Sequence, residues 1–173
     1  MDDHPLRSLF DELVRRHYFG DARVYDSDIA SYVSGVVTEF AQTDTLYRIH
    51  NARGQRLTEV AEMLVASNPL LEANSFDRER AVRKHVGDFT LFFTGLYPEA
   101  VASLPSVHPL SVDKFVDYLN AGKESYAVVA AFNLFEYRDE APLFKRMSEL
   151  FDRCVYGLNL VKRDLGGLPG APC

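Results

Sequence analysis

Lys84-His85-Val86-Gly87-Asp88-Phe89-Thr90-Leu91-Phe92-Phe93-Thr94-Gly95-Leu96-Tyr97-Pro98-Glu99 is apolar on nearly every face for three helical turns. A helix at a protein surface shows one apolar stripe, whereas one that is apolar all round must be covered on all sides. The stretch is therefore expected to lie within the central helix of the domain, running from about Phe76 to Leu96 and ending before Pro98. Gly87 and Gly95 stand inside the helical pattern, where each costs about 1 kcal/mol relative to alanine. Their presence points to close approach by another backbone or by a flat ligand. His85 and Asp88 are three residues apart and so share a face. They form either a tie between neighbouring helices or an acid-base pair.

Helical periodicity extends outward from this segment. A first helix is expected from Pro5, with Leu6, Leu9, Phe10, Leu13 and Val14 inward, stopping at Gly20. A second follows a cap at Ser27 or Asp28 and carries Ile29, Tyr32, Val33, Val36, Val37 and Phe40. A third contains Leu57, Val60, Ala61 and Leu64 and ends at Asn68-Pro69. Residues 46–57 read either as a short β-hairpin turning through Asn51 and Gly54 or as a short helix and a loop.

Beyond the central helix, Pro98 opens a short helix through Leu104. Ser111 is read as the cap of a helix with Val112, Phe115, Val116 and Leu119 inward, broken at Gly122 and succeeded by another from Lys123 to Phe135. One last helix is expected from Pro142 to Gly166. The chain is thus an all-α, single-domain bundle of about six to eight helices over residues 1–166, with 167–173 a flexible Gly/Pro tail.

Composition narrows the function classes. The net charge is −6, and the densest basic cluster (Arg78, Arg80, Arg83, Lys84) is diluted by Asp77 and Glu79, which argues against a nucleic-acid binder. No apolar run reaches transmembrane length, so no membrane association is expected. The start of the sequence, Met1-Asp2-Asp3-His4-Pro5, is acidic where a secretory signal is basic, and two cysteines make no disulfide framework. A cytoplasmic location is expected.

Catalytic and metal signatures do not assemble. There is no Glu-x-x-His pair, His-Glu-x-x-His, Cys-x-x-Cys, Gly-x-Ser-x-Gly or phosphate loop in the chain, so no metal site is predicted. The catalytic candidates are His85, Asp88 and Glu99, although an acid in the first turn after Pro98 also favours the helix dipole. Gly87, Asp88, Gly95, Tyr97 and Asn159 are the candidate ligand-binding residues. Glu39 is a further carboxylate at the edge of its stripe. The nine tyrosines, with Asn133 and Asn159, either line a partly polar cavity or tie helices together.

The segment His85 to Glu99, with Tyr156-Gly157-Leu158-Asn159-Leu160-Val161 near the end, resembles a group of uncharacterised bacterial all-helical proteins. That resemblance implies a bacterial origin and a shared layout and carries no activity. Residues His85 to Thr90 also look like the distal helix of haem oxygenases, which would imply a tetrapyrrole lying on the helix backbone. The next glycine is displaced from that pattern, and no proximal histidine is identifiable. The leading expectation is a non-enzymatic module binding a small ligand or a protein partner. An enzyme using His85 and Asp88 in an apolar pocket and a structural homodimer subunit are the alternatives.

Overall fold

The computed structural model describes residues 5–41, 59–68, 75–108 and 110–166. Among these residues there are eight α-helices, one 3-10 turn and no strand. The helices are α1 (Pro5–Tyr18), α2 (Ser27–Phe40), α3 (Val60–Ser67), α4 (Phe76–Leu96), α5 (Pro98–Val101), α6 (Lys114–Ala131), α7 (Ala141–Glu149) and α8 (Phe151–Gly166). The 3-10 turn, Phe135–Tyr137, joins α6 to α7. Segment 46–57 and the tail 167–173 lie outside the described residues.

α4 occupies the position its composition demands. It packs on α6 along much of its length, on α3 and α8, and against α2. From His85 to Leu96 every residue except Phe93 is buried. The hydroxyls this burial includes are satisfied within the helix itself: Thr90 Oγ1 donates to the Val86 carbonyl at 2.8 Å, and Thr94 Oγ1 to that of Thr90 at 2.6 Å. One core joins the elements, with Val14, Tyr18, Val33, Phe40, Val86, Phe89, Tyr126, Phe144, Phe151 and Leu158 among its members. No described helix is long and apolar enough to cross a membrane.

Local chemistry sets the boundaries, in several places differently from the expectation. The cap of α2 is Asp26, not Ser27 or Asp28: its carboxylate accepts from Asp28 N at 3.0 Å and Ile29 N at 3.1 Å. The cap of α6 is Asp113, which accepts from Val116 N at 3.2 Å, while Ser111 donates its hydroxyl to Asp117. Gly122 does not interrupt α6. A Cβ there would meet the Phe151 ring at 2.3 Å, so the glycine is where α8 comes closest. α6 stops at Ala131 rather than reaching Phe135. The expected long C-terminal helix is two helices bent at Leu150, where φ is −103° and ψ is 14°. α7 packs on α6, whereas α8 packs on α4 and α1, and one straight axis does not serve both sets of neighbours.

Candidate functional site

Asp88 lies on the buried side of α4, 1% exposed. Its Oδ1 accepts the phenol hydroxyls of Tyr32 from α2 and Tyr126 from α6, each at 2.6 Å. Its Oδ2 accepts from Lys84 Nζ at 3.3 Å, one turn earlier on α4. Lys84 Nζ also stands 5.4 Å from the Tyr32 ring centroid. The two tyrosines pack edge-on to each other at 6.5 Å, with Phe144 from α7 at 5.3 Å from Tyr32 and 5.7 Å from Tyr126. One carboxylate thus gathers three donors from three helices inside an aromatic cage.

The electrostatics fix the roles. Burial and then the Asp88 charge push the hydroxyls of Tyr32 and Tyr126 well above the ordinary tyrosine range, so both remain donors at neutral pH. Three donors fill most of the roughly four lone-pair positions of a carboxylate. This satisfies a charge that would otherwise be costly to bury. It also leaves Asp88 little capacity to accept a substrate proton. A further buried phenol is also tied: Tyr18 donates to the Cys154 backbone carbonyl at 2.8 Å, and burial pushes the Cys154 thiol up to about 12.

The residues singled out in the sequence separate into three places. His85, 2% exposed, turns toward α2, its ring 5.5 Å from Phe40 and 6.1 Å from Phe89. It is on α4 beside Asp88, while the hydrogen bonds of Asp88 among the described residues go to Tyr32, Tyr126 and Lys84. Gly87 lines no cleft: a Cβ there would lie 2.3 Å from Tyr126 Cε1. A flat group does lie on the α4 backbone at Gly87, and it is this tyrosine ring.

Gly95, Tyr97, Glu99 and Asn159 do come together, at the far end of α4, as a junction with α8. A Cβ on Gly95 would meet Leu158 Cβ at 2.6 Å. Asn159 Nδ2 donates to the carbonyls of Thr94 at 3.1 Å and Gly95 at 2.7 Å, which have no helical partner beyond Leu96. Glu99 pairs with Lys162, whose Nζ lies 5.8 Å from the Tyr97 ring centroid. The ammonium beside it holds the Glu99 carboxyl below its usual range. Each of these contacts ties one helix end to another. Among the described residues no cluster of His, Cys, Asp or Glu has the arrangement to hold a metal ion.

The surface feature the sequence did not reveal is at the other end of α4. After the last turn of α6 the chain exposes Leu134 (65%) and Phe135 (87%), with Phe76 at the start of α4 exposed to 73%. Phe132 connects the two segments, its ring 6.4 Å from Phe76 and 6.3 Å from Tyr137. Phe135 has φ 54°, a left-handed conformation that a bulky side chain rarely adopts. The turn that follows is held down: Arg80 lies 4.1 Å over the Tyr137 ring and donates to Glu140 at 2.6 Å. Beside it a shallow cleft of about 360 Å3 is lined by Asp28, Ser31, Asp139, Glu140, Pro142, Leu143 and Arg146. The sequence signal that points here is the run of apolar residues at 134–135 next to the acids at 139–140, which a continuous helix would have hidden.

The described chain is thus an all-α bundle with a buried polar centre, a strained apolar corner at Phe76, Leu134 and Phe135, and further exposed apolar side chains at Leu110, Val112 and Val116, where the sequence pattern places Val112 and Val116 inward. No family model, curated protein or solved structure matches it.

Proposed function

We propose that this chain is a non-enzymatic helical module that binds a protein partner through the corner formed by Phe76, Leu134 and Phe135. The observation that carries the reading is Phe135, an almost fully exposed aromatic side chain on a left-handed backbone. Such strain costs on the order of 1–3 kcal/mol and persists where the surrounding structure enforces it, commonly at binding sites. Exposed aromatic anchors are the side chains that carry most binding energy at protein interfaces. A small ligand held at Gly87 and Asp88 is the weaker reading, because Tyr126 fills that space. Catalysis by Asp88 is weaker still, since three donors already engage its carboxylate.

The same reading keeps the protein in the cytoplasm of a bacterium. Its buried free thiol at Cys154 suits a reducing compartment, and a bacterial origin is what the sequence of the His85 to Glu99 segment leads us to expect.

A photo-crosslinking residue at position 135, introduced in producing cells, tests the proposal. A discrete higher-mass adduct is expected there, absent when the same residue replaces exposed Tyr25, and lost when Leu134→Ser is added. No adduct at 135, or equal adducts at both positions, contradicts it.

A further inference from the structure

The charge around the corner says which partner would fit. The 3-10 turn is tight, with Tyr137 N donating to the Leu134 carbonyl and Arg138 N to that of Phe135, each at 3.2 Å. It therefore delivers the chain from the apolar pair at 134–135 to Asp139 and Glu140 within a few residues. Those two acids, with Asp28 from the start of α2, line the cleft against a single guanidinium, Arg146. That guanidinium is already committed to Asp26 at 2.6 Å and lies 3.7 Å from Asp28. Glu140 is engaged by Arg80, and among the described residues Asp139 has an ion pair with Arg138 at 3.8 Å, the side chains of Glu140, Arg138 and Asp139 all being solvent-exposed. Pro142 and Leu143 give the cleft apolar wall.

We infer that the corner receives a basic amphipathic segment of a protein partner. Its apolar side chains would cover Leu134 and Phe135, and its Lys or Arg would enter the cleft of Asp28, Asp139 and Glu140. This rests on the partner-binding reading above and adds the chemistry of the partner. A second copy of the chain would bring the acidic cleft close to its own image, and an anionic lipid surface would be repelled by it; both placements cost electrostatic energy.

Two matched peptides test this, one placing Leu at helical i, i+3, i+4 spacing with Lys elsewhere, the other with Glu in place of Lys. Titrated by fluorescence anisotropy at physiological salt, the Lys peptide is expected to bind and the Glu peptide not. Phe135→Ser and Leu134→Ser, both at exposed positions, should each weaken the Lys peptide by about tenfold or more. Asp139→Lys should weaken it several-fold, while Glu99→Lys, the same charge change at the other end of α4 about 30 Å away, should not.

Equal binding of both peptides that still depends on Phe135 would overturn the charge inference and leave the partner-binding reading standing. Binding indifferent to Leu134 and Phe135 would overturn both. Equal effects of Asp139→Lys and Glu99→Lys would reduce the attraction to net charge and overturn the inference. So would Phe135-dependent self-association in sedimentation, or Phe135-dependent binding to anionic vesicles.

Discussion

Burying the Asp88 carboxylate costs several kcal/mol unless hydrogen-bonded partners replace the lost water. Tyr32, Tyr126 and Lys84 are those partners, and Gly87 is what lets Tyr126 reach in. Gly87→Ala should therefore push the Tyr126 ring off Asp88. An overpacking loss of about 1–3 kcal/mol is expected in urea denaturation, and an unchanged midpoint would mean the close approach is looser than described. Phe135 argues the opposite way. A glycine at φ 54° relieves the left-handed strain, so Phe135→Gly should raise stability by up to about 1 kcal/mol while weakening the Lys peptide at the corner. A destabilised Phe135→Gly would show that the side chain holds the fold. The sequence exposed the His85/Asp88 spacing and the two glycines, but not the tyrosines that complete the centre. Those arrive from helices 38 and 56 residues away, a distance no local pattern encodes.

At the scale of elements, α4 was the most legible because its boundaries are chemical: Ser75 caps its first turn by accepting from Arg78 N at 3.1 Å, and Tyr97-Pro98 ends it. Where packing decides, pattern reading misled. Gly122 looked like a break and is a contact point, and the bend at Leu150 has no glycine or proline to announce it. Asp26 joins two elements, capping α2 and pairing with Arg146 of α7. Burial raises its proton affinity, but the Arg146 guanidinium and the cap amides outweigh this and hold the carboxyl below its ordinary 3.8. A carboxyl lowered on folding contributes stability that is present above its unfolded pKa and fades as pH falls through the folded one. Asp26→Ala should thus cost about 1–2 kcal/mol at neutral pH, with the gap from wild type narrowing below about pH 4. A gap that is constant between pH 6 and pH 3 would contradict the ionic contribution.

At the scale of the molecule, the described residues form one core around α4, with Asp88 buried inside it and Phe76, Leu134 and Phe135 left to solvent. The all-round apolar pattern of the Lys84 to Leu96 stretch announces a central helix, and α2, α3, α6 and α8 pack around it. The central claim is that Asp88, the most conspicuous polar residue of that stretch, holds α2, α4 and α6 together. Thermal unfolding of Asp88→Asn tests it most directly. The mutation removes the charge that both tyrosines and Lys84 share, so a loss of about 2 kcal/mol is expected. For a chain of this size that is a drop in Tm of about 4–8 °C. A Tm unchanged from wild type would contradict the account and return Asp88 to the list of functional residues.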